Sequence, residues 1–293
     1  MDVSIVFVNY KSEILTKNAI KSVLEKTEGI EYEIFVVDNN SQDGSIEGIE
    51  KEFPNINIIK NPTNAGFGTA NNLAIKQSKG KYVLCLNTDT ILKNNAIKIF
   101  FDFMEKEENQ QIGACGAYLT DGEDNPSNCG GLLPCASSLF WKFGIRCFFK
   151  DYYSKKYIGK LTPKDKNIIP DLGYITGADL FMRKNVLDKI GLYDENLFMF
   201  FEDSDLCKRI KDAGYKLALV EEAKIQHLEG KSTKNLLQKK KWFKESEFYY
   251  FKKHHPNQVI ILKFVYTLLY LIDWLILRHK DSKELLDFVL NVS

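Results

Sequence analysis

What most constrains this chain is an alternation that begins at its first residues. Short runs of β-branched and apolar residues, free of polar interruption, alternate with segments of helical spacing. Val3–Val8 is the first such run. A strand reads this way when both of its faces are buried. Ser12 then stands as an N-cap, followed by Ile14, Leu15, Ile20, Val23 and Leu24 near helical spacing. Further strands are expected at Glu33–Val37, Ile56–Ile59 and Tyr82–Leu86, and helices at Ser45–Phe53, Ala65–Gln77 and Asn94–Glu107. This βαβαβαβ order predicts an α/β fold of Rossmann-like type, with a mostly parallel central sheet and helices on both faces.

The 293 residues suffice for one large domain or two small ones. Hydrophobic residues at 44% and charged residues at 27% exclude a wholly disordered or fibrous chain. The net charge of +1 gives no general attraction for nucleic acid, but the charge is unevenly placed. Residues 231–293 carry +6 and residues 1–230 carry −5, a mildly acidic body with a basic tail. The six cysteines show no C-x-x-C pair and read as free thiols in a reducing compartment. MDVSIVFVNY, with an acid at position 2 and a short apolar run, reads as a first strand and not as a signal peptide. The regular alternation stops near residue 119, so 120–170 are expected to be a variable insertion in a body spanning 1–230. Order resumes with Tyr174–Arg183, helices from Asn185 and over Glu202–Ala213, and strands near Tyr215–Val220 and Ala223–His227.

In doubly wound sheets ligands bind beyond the carboxyl ends of the strands. Four polar clusters fall there in succession: Asn9-Tyr10-Lys11, then Asp38 to Ser45, then Asn61 to Gly68, then Asn87-Thr88-Asp89. Any one is an ordinary polar turn. Four at one edge describe a site. The Gly66/Gly68 loop lacks the G-K-[ST] ending of a P-loop, and Asn71 occupies the third glycine of G-x-G-x-x-G, which disfavours a dinucleotide-binding dehydrogenase. Its glycines are expected to let backbone approach a ligand.

Asp89 can hold a hard cation or cap the next helix. A second acidic cluster places Glu202, Asp203 and Asp205 at a helix start, where the positive dipole end favours them. Glu202, Asp205 and Arg209 share a face, so ion pairing is expected to occupy Glu202 and Asp205. Asp203 points roughly 100° away from Glu202 and is left as a base. Phe198, Phe200 and Phe201 supply apolar walls that raise its pKa. His227 ends an apolar strand and is either a structural histidine or a metal ligand beside Asp89.

Together these segments resemble the family 2 glycosyltransferases of the GT-A fold, in particular their rhamnosyltransferase-like branch. The resemblance covers roughly residues 1–230. It rests on VVDNNSQDGS, NAGFGTANN, LNTDT, ITGADLFMRK and FFEDSDLCKRIKDAGYK, in the family order. It implies that Asp38 contacts the base of a donor nucleotide, with Asn9, Tyr10, Asn40 and Ser41 around it. Asn64, Gly66, Phe67, Asn71, Asn87 and Thr88 border the donor. Asp89 binds Mg²⁺ or Mn²⁺ with His227 as second ligand. Thr176, Gly177 and Glu202 lie on the acceptor side, and Asp203 deprotonates the acceptor hydroxyl. Two positions depart from the pattern: Asn39 stands where some members have Asp, and Asn87 replaces the first Asp of D-x-D. The implied reaction is an inverting transfer from a dTDP- or UDP-sugar, rhamnose first, to a lipid-linked glycan in surface polysaccharide synthesis. UDP-galactose, UDP-glucose or a UDP-N-acetylhexosamine is the alternative donor. A non-catalytic nucleotide-sugar-binding subunit is the alternative role.

Residues 141–166 interleave eight Lys/Arg with aromatics. Such a stretch suits single-stranded nucleic acid, but in this context contact with an anionic lipid-linked acceptor, membrane headgroups or plain solvent is expected, and no nucleic-acid partner. The tail has eight lysines over 231–258, then VIILKFVYTLLYLIDWLIL over 259–277. Nineteen residues approach membrane-spanning length. Lys263, Thr267, Tyr270 and Asp273 recur on one helical face, which favours a helix lying in the membrane interface with Tyr266 and Trp274 as anchors. Packing on the body or in a homodimer is the alternative. The protein is accordingly expected in the cytoplasm, peripheral on the inner face of the plasma membrane.

Overall fold

The computed structural model describes residues 1–135, 160–165, 171–228, 236–277, 279 and 281–292. The first half alternates as the apolar runs dictate. The elements are β1 (Val3–Asn9), α1 (Glu13–Lys26), β2 (Tyr32–Asp38), α2 (Ser45–Glu52), β3 (Asn57–Lys60), α3 (Phe67–Ile75), β4 (Tyr82–Leu86), a short β5 (Thr90–Leu92) and α4 (Ala96–Glu105). Then follow β6 (Ile112–Ala117), β7 (Gly130–Gly131), β8 (Tyr174–Ile175), β9 (Asp179–Arg183), α5 (Lys184–Ile190), α6 (Glu202–Asp212), β10 (Lys216–Val220) and β11 (Ile225–His227). The tail forms α7 (Leu236–His254), α8 (Val259–Ile272), a π-helical turn over Asp273–Leu277 and α9 (Ser282–Asn291).

Seven strands form the central sheet in the order β10-β6-β9-β4-β1-β2-β3. β1, β2, β3 and β4 pair in parallel, as do β6 and β10, while β9 runs antiparallel to both β4 and β6. The β1–β2 register sets Asn9 beside Asp38, so the two polar loops leave the sheet side by side. β4, the sheet's centre, is fully buried, with Tyr82 stacked on Phe181 at 5.0 Å. Buried Arg183 is satisfied by the carbonyls of Ile112, Met104 and Asn109 and by the Tyr82 hydroxyl, as a buried guanidinium requires. Cys85, Cys115 and Cys207 are buried free thiols.

Some expectations are corrected. Ser12 stands at the N-cap of α1 as expected, but its hydroxyl makes no capping bond and donates instead to Asn9 Oδ1 at 3.1 Å. Ile14 and Leu24 are exposed, so α1 buries a narrower stripe than its spacing suggests. Tyr174–Arg183 is two strands broken at Thr176–Ala178. β6 is rich in Gly and Ala, and its small residues hid it from the apolar-run criterion. Most of the insertion's basic and aromatic stretch, 136–159 and 166–170, lies outside the described residues.

The tail is joined to the body through a second apolar cluster. Leu197 and Phe201 of the body pack there with Phe248, Tyr250, Phe251, Leu262, Val265, Tyr266 and Val289. Several tail lysines bind carboxylates of the protein itself. Lys240 pairs with Asp281, Lys241 with Glu284, Lys244 with Glu247 and Lys253 with both Asp194 and Asp205. Tyr266 is buried and donates to Glu247 at 3.1 Å, so it is a core residue and not an interfacial anchor.

Candidate active site

The loops that follow β1, β2 and β3 are built around amide side chains. Asn9 is fully buried. Its Nδ2 lies within hydrogen-bonding range of Asp38 Oδ1 (2.9 Å), Ser41 Oγ (3.2 Å) and Ser45 Oγ (2.9 Å). Its Oδ1 accepts from Ser12 and Thr16. Asn9 is thus a hub that sets Asp38 and Ser41, not a lining residue. Asp38 Oδ2 accepts the Ser41 N–H at 3.2 Å, and the Lys11 N–H donates to Ser41 Oγ at 3.0 Å. Lys11, Asn40 and Gln42 all have positive φ (54°, 62° and 53°). Non-glycine residues rarely adopt that region and tend to do so where function holds the backbone. Tyr10 is 41% exposed beside these loops, with Lys11 Nζ 5.4 Å from its ring centre.

Asn39 is a hub that sequence reasoning treated only as a departure. Its Nδ2 donates to Asn64 Oδ1 (2.8 Å) and the Gly66 carbonyl (3.2 Å), and its Oδ1 accepts from Asn61 and Ala65. It therefore ties the end of β2 to the loop before α3. The signal was present: a second amide directly follows a strand-ending Asp. Asn72 was missed as well. It accepts the Tyr193 N–H at 3.0 Å and donates to the Tyr193 carbonyl at 2.9 Å, pinning a segment 121 residues away. Asn71 is fully buried and donates to the Phe67 carbonyl at 3.0 Å, so it supports the start of α3 from inside.

The glycines serve the fold here. Gly66 has φ +87°, and a Cβ on it would stand 2.2 Å from the Phe198 carbonyl oxygen. Gly68 would bring a Cβ within 2.9 Å of Tyr193 Cβ. Both let the α3 start pack against 193–198. The Phe67 N–H completes that contact, donating to the Phe198 carbonyl at 3.0 Å.

Asp89 and His227 meet as expected, through the strand anticipated before His227 and a short β5 that the sequence pattern did not reveal. β5 and β11 form an antiparallel ladder with Thr90 opposite His227, and the Leu228 N–H donates to the Asp89 carbonyl. Asp89 Oδ1 lies 3.2 Å from His227 Nε2, and both side chains are largely buried. His227 Nδ1 is buried and has no hydrogen-bond partner among the described residues. Neighbouring donors on an octahedral cation, each about 2.1 Å from it, stand about 3 Å apart. One carboxylate oxygen and one imidazole nitrogen at this spacing fit a shared divalent cation. Among the described residues no group of three or more His, Cys, Asp or Glu is assembled, so the other positions fall to a ligand's oxygens and water. Asn87 shapes the turn: its N–H donates to the Ala178 carbonyl, and its own carbonyl accepts from the Thr90 N–H and hydroxyl. Thr88 between them is half-buried.

The acidic cluster divides differently from its helical spacing. Asp205, fully buried, takes Arg209 (2.8 Å), Lys253 (2.7 Å) and His254 (2.7 Å), and these partners hold its pKa below the usual range despite burial. Glu202 is not in that network. It is buried, its Oε2 has no partner, and burial with the Asp203 charge next to it pushes its pKa up to about 8. Asp203 is half-buried. Its Oδ2 accepts the Gly177 N–H at 3.1 Å, and its Oδ1 accepts the Ser204 N–H at 2.6 Å and the Ser204 hydroxyl at 3.2 Å. Burial raises its pKa while these bonds oppose the rise. Of the two adjacent carboxyls, Glu202 is the one whose surroundings most favour the protonated form. Gly177 joins this pair to the donor loop: a Cβ there would lie 3.4 Å from the Phe67 ring and 3.8 Å from Asp203 Cβ. Thr176, half-buried before it, donates its N–H to the Cys129 carbonyl.

Three kinds of comparison bear on this site. The family model described as Glycosyl transferase family 2 matches residues 4–191. The N-acetylglucosaminyl-diphospho-decaprenol L-rhamnosyltransferase of Mycobacterium tuberculosis is 25% identical over 219 residues, covering 68% of this chain and 67% of that protein. The minor teichoic acid biosynthesis protein GgaB of Bacillus subtilis is 24% identical over 98% of this chain, which spans only 30% of it. Among solved structures, a Pyrobaculum calidifontis mannosyltransferase in complex with GDP-Man and Mn²⁺ superposes with a TM-score of 0.60 at 13% identity, over 99% of this chain and 73% of that one. S. aureus TarS 1-349 in complex with UDP-GlcNAc gives 0.53 at 16% identity, over 99% and 72%. These structural likenesses establish the GT-A fold.

The raised pKa of Glu202 has a measurable consequence for stability. Between about pH 4.5 and about 8 the folded chain holds a proton that the unfolded chain releases, so this group makes stability fall as pH rises through that window. Urea unfolding of wild type and Glu202→Gln at pH 5 and pH 9 should show the wild type losing more stability than the variant. Equal losses would show that Glu202 titrates normally.

Proposed function

The chain belongs to glycosyl transferase family 2, and from that premise we propose that it moves a sugar from a nucleoside-diphosphate donor to a hydroxyl of a lipid-linked glycan, with inversion, in building a surface polysaccharide. The observation that carries this reading is the Glu202/Asp203 pair, one carboxyl buried and one half-buried, set against the donor loop across Gly177. Rhamnose is the first choice of sugar, carried on dTDP. The support is the name of the mycobacterial relative. A UDP-N-acetylhexosamine is the second choice, supported by the UDP-GlcNAc complex of a protein of the same fold.

The chemistry asks for a base at the acceptor oxygen and a place for the leaving diphosphate. Asp203 is the member of the pair whose hydrogen bonds favour its ionised form, so it takes the acceptor proton as the oxygen attacks the anomeric carbon. Glu202 keeps its proton and spares Asp203 a second full charge. Asp38 and Ser41, held by Asn9, receive the nucleoside, with Tyr10 and Asn40 at the rim. Asn64 and Phe67 bound the sugar side. Asp89 and His227 would hold Mg²⁺ or Mn²⁺, which when bound neutralises charge developing on the diphosphate. Proteins of this fold have been solved with Mn²⁺.

In the tail, Pro256–Ile276 is long and apolar enough to cross a membrane, with a mean hydropathy of 2.0. Its inner face is occupied by Leu262, Val265 and Tyr266 in the second cluster. Its outer face leaves Ile260, Phe264, Leu268, Leu275 and Ile276 exposed, at 76%, 68%, 42%, 58% and 71%. A helix gripped on one side and apolar on the other suits a membrane interface better than a span. Trp274 and Lys283, 5.8 Å apart, sit at its end as an anchor and a cation for lipid phosphate. On this reading the enzyme works on the cytoplasmic face, where the soluble donor and the lipid-linked acceptor meet. Pairing of two copies through the same face is the alternative.

Three measurements test these assignments. Asp203→Asn should still bind donor but lose transfer by roughly 10²–10⁴-fold; wild-type turnover would remove Asp203 from the reaction, and wild-type protein that binds nucleotide sugars but neither transfers nor hydrolyses them would favour the non-catalytic subunit. Calorimetry of nucleoside diphosphate with Mn²⁺ should show affinity falling in Asp89→Ala and less so in His227→Ala, and the differences should vanish with chelator. A wild-type affinity indifferent to chelator would dismiss the cation site. Full-length protein should sediment with phosphatidylglycerol vesicles, be partly released by high salt, and fail to sediment as the Ile260→Glu/Phe264→Glu variant. A wild type that stays in the supernatant would favour the dimer.

A further inference from the structure

The reacting carboxylates begin α6 directly after two phenylalanines in the left-handed region, Phe200 (φ 70°) and Phe201 (φ 64°). Bulky side chains avoid this conformation, and from α6 itself Phe201 receives the Asp205 N–H on its carbonyl but no side-chain cap bond. What meets them is one face of α7. Lys239, Trp242, Phe243, Ser246, Tyr250 and Lys253 recur at helical spacing, and each touches the segment 194–205. The Phe243 ring lies 5.4 Å from that of Phe200 and 5.1 Å from that of Phe201. Tyr250 lies 5.5 Å from Phe201 on the same helix. Ser246 Oγ donates to the Met199 carbonyl at 2.7 Å, one residue before the left-handed pair.

Both sides of the corner are fastened by charge. Before it, Asp194 takes Lys253 at 2.6 Å and the Tyr249 hydroxyl at 3.0 Å. After it, buried Asp205 takes Lys253 and His254. The lysine ammonium thus bridges the two flanks of the corner.

We propose that α7 is a positioning element for the reacting carboxylates: its Phe243–Ser246–Tyr250 face holds the left-handed Phe200–Phe201 corner and thereby sets where Glu202 and Asp203 stand against Gly177. The inference rests on the reading of that pair as the proton-accepting site. Phe243, Ser246 and Tyr250 touch no reacting atom and act through the corner. The start of α3 meets this segment at Phe198, whereas Ser246 and Tyr250 hold it at Met199 and Phe201, on the carboxylate side, so loosening it there should affect the chemical step more than donor capture.

The test is steady-state transfer by the full-length chain, using the nucleotide sugar and acceptor that wild type turns over. Tyr250→Leu should lower kcat by roughly tenfold or more with donor KM within about twofold, because misplacing a reacting group by a fraction of an ångström costs rate and not capture. Tyr250→Phe should restore wild-type kcat, since the buried Tyr250 hydroxyl has no hydrogen-bond partner. Ser246→Ala, a small change that folds if Tyr250→Leu does not, should lower kcat roughly threefold by freeing the Met199 carbonyl. Asp203→Asn in the same assay separates the two ideas. An Asp203→Asn enzyme as fast as wild type overturns the carboxylate assignment itself. An inactive Asp203→Asn beside Ser246→Ala and any folded Tyr250→Leu at wild-type kcat overturns the positioning role. So does a Tyr250→Phe as slow as Tyr250→Leu.

Discussion

The site depends on a strained corner. Two consecutive phenylalanines sit in the left-handed region at about 1–2 kcal/mol each. A chain keeps such a conformation only where its surroundings over-determine it. Here they do. The rings of Phe243 and Tyr250, the Ser246 hydroxyl and the Lys253 ammonium grip the corner from α7, while Gly66 and Phe67 close on Phe198 from α3. The carboxylates that follow are consequently placed by tertiary contacts, and the donor loop and acceptor side share one piece of backbone.

The electrostatics follow from the same placement. Three acids stand within four residues, yet their surroundings send them to different states. Asp205 faces Arg209, Lys253 and the His254 ring, and its pKa is held below the usual range. Glu202 faces none and is raised by burial and by the charge beside it. Asp203, with three hydrogen bonds, is left between. Helical spacing placed Glu202 beside Arg209, but the guanidinium spends its remaining donors on the carbonyls of Ile190, Gly191 and Leu192.

Much of the fold was legible because both-face burial leaves unbroken apolar runs, as in β1, β2 and β4. β6, made of Gly, Ala and Cys, leaves no such run. The four polar loops were legible as a site because strand ends are where such sheets bind. Their internal division was not. Asn9 and Asn71 read as ligand contacts and are buried supports, while Asn39 and Asn72 carry the long-range ties. A polar residue's partner is fixed by tertiary distance, which spacing along the chain does not encode. Asp89 and His227 were matched by chemistry, but the ladder that joins them has three residues on each side and lies 130-odd residues apart in sequence. The tail's lysines looked free for lipid because their acidic partners lie in other elements, as Asp194 and Asp205 do for Lys253.

The central claim is that Glu202, buried beside Asp203 at the start of α6, keeps its proton near neutrality. It is tested most directly by carbon-13 NMR titration of the glutamate side-chain carboxyls, with Glu202 assigned by the signal lost in Glu202→Gln. A midpoint near 8 is expected, moving downward in Asp203→Asn as the neighbouring charge is removed. A midpoint in the ordinary range near 4.5, unmoved by that substitution, would contradict the claim.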